Sequence, residues 1–199
     1  EVMDIDEEAF RQDRLSARLY GYMKIPFERS LVQSAKAGSS PGEAVSVESI
    51  ASHVIQNMKK DWLYIIGPGT TTRGIMEMLD LPNTLLGIDV ICNRQLVASD
   101  VNEQMLLKTI RNKNAKIVVT IIGGQGYIFG RGNQQISHKV IDSVGKENIL
   151  VVATENKIIV LKGNPLLVDT GNLDINKKIS GYTKVITSLN KKIAYKIAY

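Results

Sequence analysis

The chain has little sulfur or imidazole chemistry: one cysteine, Cys92, and two histidines, His53 and His138, in 199 residues. A single thiol excludes an intramolecular disulfide and a cysteine-rich zinc site, so a metal centre would have to rest mainly on carboxylates. No metal ligand set is therefore expected. Aromatic residues make up only 6% of the chain, and its basic residues are dispersed apart from short pairs such as Lys59 with Lys60. Nucleic-acid binding needs a concentrated basic face with stacking platforms, so no nucleic-acid partner is expected. No apolar run approaches the roughly 20 residues of a membrane-spanning helix, and no basic-then-apolar signal segment opens the sequence. The expectation is a cytoplasmic protein with no membrane partner. No Gly-Lys-Ser/Thr follows a glycine loop, which excludes a Walker A site.

What is present is an ordinary globular composition, 44% hydrophobic and 23% charged, in a chain long enough for one sizeable core or for one domain with an appendage. The net charge of +5, with a pI near 9.2, favours anionic ligands. The nearest thing to a basic patch is Lys191, Lys192 and Lys196. Because the sequence starts at Glu1 and not at a methionine, it reads as a fragment of a longer protein.

The organising stretch is residues 116–137, KIVVTIIGGQGYIFGRGNQQIS. Ile117, Val118, Val119, Ile121 and Ile122 suit a strand buried on both faces, since β-branched side chains fit a pleated surface covered on each side. Gly123, Gly124, Gly126, Gly130 and Gly132 then permit backbone conformations in which successive N–H groups converge on one anion, with Gln125 and Asn133 among them. Arg131 adds a positive fork for phosphate or carboxylate. A long surface turn with purely geometric glycines is the alternative. Ser137 caps the helical pattern of Val140, Ile141 and Val144.

An earlier stretch repeats the arrangement. Residues 62–73, WLYIIGPGTTTR, run from an apolar strand into Gly67, Pro68 and Gly69, then Thr70, Thr71, Thr72 and Arg73, with Ile75, Met76 and Leu79 on one helical face behind them. If the two strands are parallel neighbours, both loops emerge at the carboxyl edge of the sheet, where open α/β folds bind ligands. Capping needs one threonine. Three beside an arginine favour ligand contact at the positive end of the helix.

Elsewhere the pattern predicts a short strand at residues 2–5 and a half-buried strand from Leu15 to Ile25, ended by Pro26. A small-residue linker follows over 34–46, and Ser46 is predicted to cap a helix carrying Ile50, Val54, Ile55 and Met58. A hairpin is predicted about Asn93 and Arg94. Asp89 in its first arm is a candidate acid, base or ligand-binding group, or a side chain facing water on an alternating strand. Asp100 and Glu103 have capping-box spacing, residues 149–161 read as two strands, and the C-terminus reads as a hairpin. Asp169, Thr170 and Gly171 read as turn chemistry that can rim the site. The expected fold is α/β, a mostly parallel sheet flanked by helices with β-hairpin additions. The expected division is 1–45, an N-terminal strand segment and linker to an absent upstream domain, and 46–199, an α/β ligand-binding domain.

Together the segments EVMDIDEEAFR, ARLYGYMKIP, IIGPGTTTRGIME, LLGIDVI, DVNEQ, IGGQGYIFGRGNQQIS and LLVDTG resemble the C-terminal part of the ATP-NAD kinase-like family, in its branch related to acetoin-catabolism protein X. The resemblance implies transfer of phosphate from ATP, with magnesium, to the adenosine ribose 2′-hydroxyl of NAD. It also implies an alternative fold, since typical NAD kinases have a β-rich C-terminal domain. The family's upstream Gly-Gly-Asp-Gly-Thr loop is absent. Gly123, Gly124, Gln125 and Gly126 do not replace it, because an amide cannot act as a carboxylate base at neutral pH. The isolated chain is therefore expected to be inactive as a kinase and to bind NAD or another phosphorylated ligand. The alternation of strands and helices also resembles sugar-phosphate isomerases and sugar-sensing regulators, which makes a sugar-phosphate or nucleotide binding module the second expectation. A third is an assembly domain, possible as a homo-oligomer through Tyr20, Tyr22 and the final hairpin.

Overall fold

The computed structural model describes residues 2–6, 8–9, 14, 16–24, 41–122 and 124–199. The chain divides into two compact units, Glu1–Ser34 and Ala35–Tyr199. In the first, β1 (Val2–Ile5) pairs antiparallel with β2 (Ala17–Gly21). The predicted strand is thus shorter than expected, and residues 17–20 are all exposed, so the half-buried alternation is not realised. Leu15, Ile25, Pro26 and most of the 34–46 linker lie outside the described residues.

The second unit is built on one nine-stranded sheet. In chain order its elements are α1 (Pro41–Gln56), β3 (Leu63–Ile66), α2 (Thr70–Met78), β4 (Asp89–Cys92), β5 (Gln95–Ala98), α3 (Glu103–Ile110) and β6 (Ala115–Thr120). There follow β7 (Tyr127–Phe129), α4 (His138–Val144), β8 (Ile149–Val152), α5 (Glu155–Val160), β9 (Leu166–Val168), α6 (Leu173–Ile179), β10 (Gly181–Ser188) and β11 (Lys191–Ala198). The strand order is β5-β4-β3-β6-β8-β10-β11-β9-β7. β3, β6, β8 and β10 are parallel neighbours, and hairpins add β4 with β5 on one side and β11 on the other. The expected α/β fold, with its mostly parallel sheet and hairpin additions, is the one observed, and the β-rich alternative is not.

Successive strand residues point to opposite faces, and helices cover both. Leu63 and Ile65 of β3, with Ile117 and Val119 of β6, face the core made with Leu106 and Ile110 of α3 and Val140 and Ile141 of α4. Tyr64, Ile66 and Val118 face the other, against Ile50, Ala51, Val54 and Ile55 of α1 and Ile75 and Met76 of α2. That double burial explains the unbroken apolar runs.

Three local readings are corrected, and one helix is added. The α1 helix begins at Pro41, so Ser46 lies inside it and its hydroxyl donates to the Gly42 carbonyl at 3.0 Å instead of capping. Asn102, not Asp100, caps α3, its side chain accepting from Met105 N at 3.0 Å. Residues 155–160 form helix α5 and not a second strand. Residues 173–179, for which the pattern predicted no element, form α6, capped by Asn172.

Candidate functional site

Because β3, β6, β8 and β10 run the same way, the chain leaves all of them at one edge of the sheet. The segments emerging there include residues 67–72 after β3, the turn after β6, and residues 153–157 after β8. The parallel adjacency of β3 and β6, on which the site depended, is present.

In the first segment the glycine amides are already engaged. Gly67 N–H donates to the Val118 carbonyl at 2.8 Å and Gly69 N–H to the Leu85 carbonyl at 3.2 Å. The donors left are those of the helix that follows. Gly69 occupies the N-cap of α2 with φ 124°, no side chain caps that end, and the first turn holds no acidic residue. The first intrahelical bond runs from Arg73 N–H to the Gly69 carbonyl at 2.9 Å. Helix geometry therefore leaves the amides of Thr70, Thr71 and Thr72 without an intrahelical acceptor, at the positive end of the dipole. Thr72 Oγ1 donates to the Gly69 carbonyl at 2.9 Å. Thr71 is fully buried, and its Oγ1 has no hydrogen-bond partner. Thr70 is exposed. Arg73 points along its helix, with Nε 2.6 Å from Glu77 Oε1. It lines a groove of about 540 Å³ between α1 and α2 together with Glu43, Glu48 and Glu77.

The second stretch, read as one long loop, is two turns separated by β7. Ile122 N–H donates to the Tyr127 carbonyl at 2.7 Å in an antiparallel bridge, and the turn between them contains Gly124, Gln125 and Gly126. Gly123 lies outside the described residues. Beyond β7, residues 130–133 form a separate turn held by Asn133, which is fully buried. Its Nδ2 donates to the Ile128 carbonyl at 2.9 Å and its Oδ1 accepts from Gly130 N–H at 3.1 Å. Gly130, at φ 90°, packs so tightly that an added Cβ would lie 1.7 Å from the Asp169 carbonyl oxygen. Gly132 also has a positive φ. These contacts account for Gly130 and Asn133 as packing features. The exposed Arg131 stacks on the Tyr127 ring, 4.5 Å from its centroid, which leaves its charge available. Ser137 caps α4 as expected, and its hydroxyl also donates to Glu103 Oε1 at 2.6 Å, joining the starts of α4 and α3.

Asp89 is 2% exposed. Its carboxylate accepts from Thr84 N at 2.7 Å, Thr84 Oγ1 at 2.9 Å, Ser99 Oγ at 2.8 Å and Asp100 N at 3.0 Å. Four donors meet a buried carboxylate and bind together the two loops flanking the β4–β5 hairpin, an anchoring arrangement. The rim residues Thr170 and Asn176 bond each other, with Thr170 Oγ1 2.7 Å from Asn176 Oδ1, as turn chemistry does.

Three residues at the shared edge were not nominated from the sequence. Lys157 of α5 places Nζ 3.3 Å from Thr120 Oγ1 and 3.4 Å from the Ile121 carbonyl. Thr120 turns its methyl the other way, 2.8 Å from where a Cβ on Gly69 would be. Thr154, the N-cap of α5, makes no side-chain capping bond and is buried with its Oγ1 unpartnered. The signal was there: ILVV followed by Ala-Thr-Glu-Asn-Lys is a strand, a turn and a helix start. The apolar IIV behind it concealed the helix.

Comparison with curated proteins and with solved structures gave no match. The family model of the ATP-NAD kinase C-terminal domain matches residues 60–197, from the residues before β3 to the last strand. The chain belongs to that family.

Proposed function

We propose that this chain belongs to the branch related to acetoin-catabolism protein X. In this reading it binds NAD, or another phosphorylated ligand, at the carboxyl edge of β3, β6 and β8. In the full-length enzyme the ligand is presented there for ATP-dependent phosphorylation to NADP. One observation carries the reading beyond family membership. Two buried hydroxyls, Thr71 Oγ1 and Thr154 Oγ1, have no partner, and both follow strands that end at this edge. Buried polar groups are nearly always hydrogen-bonded, and leaving one unpaired costs about 1–3 kcal/mol. An orphan hydroxyl in the first turn of the uncapped α2, with a second at the end of β8, suits phosphate oxygens, which accept from hydroxyls and amides together.

ATP and magnesium are the cofactors of the reaction proposed for the full-length enzyme, where magnesium neutralises charge on the transferred phosphate. Among the described residues no group of three or more His, Cys, Asp or Glu is arranged to hold a metal ion. Asp89, the carboxylate facing Ile66 in the β3–β4 pairing, already accepts four hydrogen bonds. A dedicated protein cage for magnesium therefore does not fit these residues, and no step is routed through one. A catalytic base is not assigned either, since the turn after β6 offers Gln125 where a carboxylate would be needed.

Thermal-shift measurement against NAD, ADP and ribose 5-phosphate tests the binding half of the proposal. Stabilisation by NAD supports it; response to ribose 5-phosphate alone favours the sugar-phosphate module, to which the parallel α/β sheet lends support. For the catalytic half, NADP formation is expected from an upstream-extended protein and not from this chain. Robust NADP formation by the chain alone defeats that half.

A further inference from the structure

We infer that the chain forms a two-fold dimer, in which the lysine-bearing face of each β10–β11 hairpin seats on the acidic groove between α1 and α2 of the other copy. The hairpin register sets Tyr182 opposite Lys196, Lys184 opposite Ala194 and Ile186 opposite Lys192, so these side chains share one face of the sheet. The other face is buried, with Val185 and Ile197 in the core beneath it. On the lysine-bearing face, Ile186 alone joins a core cluster, the one that α1 and α2 cover. α1 meets the hairpin only at its turn, where Ser49 Oγ accepts from Leu189 N–H at 2.8 Å. Away from that contact Tyr182 is 74% exposed, and Lys184, Lys192, Ala194 and Lys196 are exposed as well.

Sheets with parallel strands ordinarily carry helices over both faces. Among the described residues no helix covers this end of the face, and Lys184, Lys192 and Lys196 make no ion pair; Lys191 of the same hairpin does, with Glu155 at 2.7 Å. Three unpaired ammonium groups around a tyrosine call for an acidic occupant, and the chain carries one. The groove of about 540 Å³ between α1 and α2 presents Glu43, Glu48 and Glu77 against a single Arg73, with Met78, 42% exposed, at its side. Arg73 pairs with Glu77, while Glu43 and Glu48 make no ion pair among the described residues. Both surfaces lie on the same side of the sheet, since α1, α2 and Ile186 share one core cluster. A two-fold axis across that side lays the groove of each copy on the hairpin of the other, making both contacts at once. Lysines then meet glutamates, and Tyr182 and Met78 supply the apolar area on the two sides.

The test is sedimentation velocity of the full chain over a concentration series. It compares the parent, Lys184→Glu with Lys192→Glu, Glu43→Lys with Glu48→Lys, and an equimolar mixture of these two double variants, with circular dichroism melts to check folding. The parent is expected to dimerise, less tightly as salt rises. Each double variant sets like charges face to face in both contacts and should dimerise about a hundredfold more weakly. The mixture should dimerise again, because the mixed pair has one native contact and one with the same charges exchanged. Should a reversed variant fail to fold, Lys184→Gln with Lys192→Gln takes its place, with an expected weakening of about tenfold. A parent that stays monomeric throughout the series overturns the proposal and leaves the lysine face to an acidic partner of another kind. A dimer that the folded variants leave intact, or a mixture of folded variants that stays monomeric, overturns it equally.

Discussion

Gly69 and Thr120 meet at the head of the α2 helix, with Thr120 Cγ2 only 2.8 Å from the position a Cβ on Gly69 would take. The contact locks the first glycine segment onto the end of β6. It also brings the α2 amides and the Lys157 ammonium to either side of one threonine.

Gly69→Ala therefore carries two penalties, a side chain at φ 124° and an overlap with Thr120. The backbone strain alone costs about 1–3 kcal/mol. Chemical denaturation should show at least that loss, and the folded fraction should bind pyrophosphate more weakly. A fully stable Gly69→Ala protein with parent affinity would show that the contact does not shape the site.

Asp89 is expected to matter for stability and not for turnover. Replacing it by alanine leaves two backbone amides and two hydroxyls, of Thr84, Ser99 and Asp100, without their acceptor. The expected cost is at least about 1–3 kcal/mol, the penalty for leaving a buried hydrogen-bonding group unsatisfied. Denaturant midpoints measure it directly. A stable Asp89→Ala variant would remove the anchoring role and return Asp89 to the list of candidate ligands.

How far the sequence could be read depended on whether local chemistry or distant packing decided each segment. The Asn93–Arg94 turn was legible because φ is positive at both residues, 51° and 64°, a demand that asparagine meets between apolar arms. The strand-loop-helix after β3 was legible for a similar reason: a glycine must stand at the tight approach to β6. Residues 155–160 were not legible, since Lys-Ile-Ile-Val is as β-prone as any strand. Its helix buries no residue fully and leaves Ile159 69% exposed, so no apolar stripe marks it. The β7 strand has three residues between glycines, too few for a period to register. Lys157 was hidden along with its helix.

Gly130 separates packing from ligand contact in the second glycine stretch. A Cβ there would penetrate to 1.7 Å from the Asp169 carbonyl oxygen, which is backbone and cannot rotate aside. Gly130→Ala should lose about 4 kcal/mol or fail to fold, in the range reserved for severe local overlap. The readout is soluble yield and denaturant midpoint. A well-folded Gly130→Ala protein would mean the 130–133 turn yields more readily than its contacts indicate.

Away from the site, Lys59 and Lys116 share the Trp62 ring, at 4.4 Å and 5.3 Å from its centroid. Burial, and then the neighbouring Lys59 charge, lower the pKa of Lys116 below its ordinary 10.5. The folded state then releases that proton earlier than the unfolded chain does. Its unfavourable contribution is complete below the folded pKa and disappears as pH rises past the unfolded value. The stability of Lys116→Met relative to the parent should therefore be greatest at neutral pH and decline toward pH 10.5. A difference that stays flat over that interval, measured by urea denaturation, contradicts the shift.

The most direct test of the central claim is a crystal structure of the chain with NAD. Phosphate density is expected at the carboxyl edge, within hydrogen-bonding distance of the amides of Thr70–Thr72. Phosphates bound instead in the groove between α1 and α2, or at the 130–133 turn alone, would contradict it.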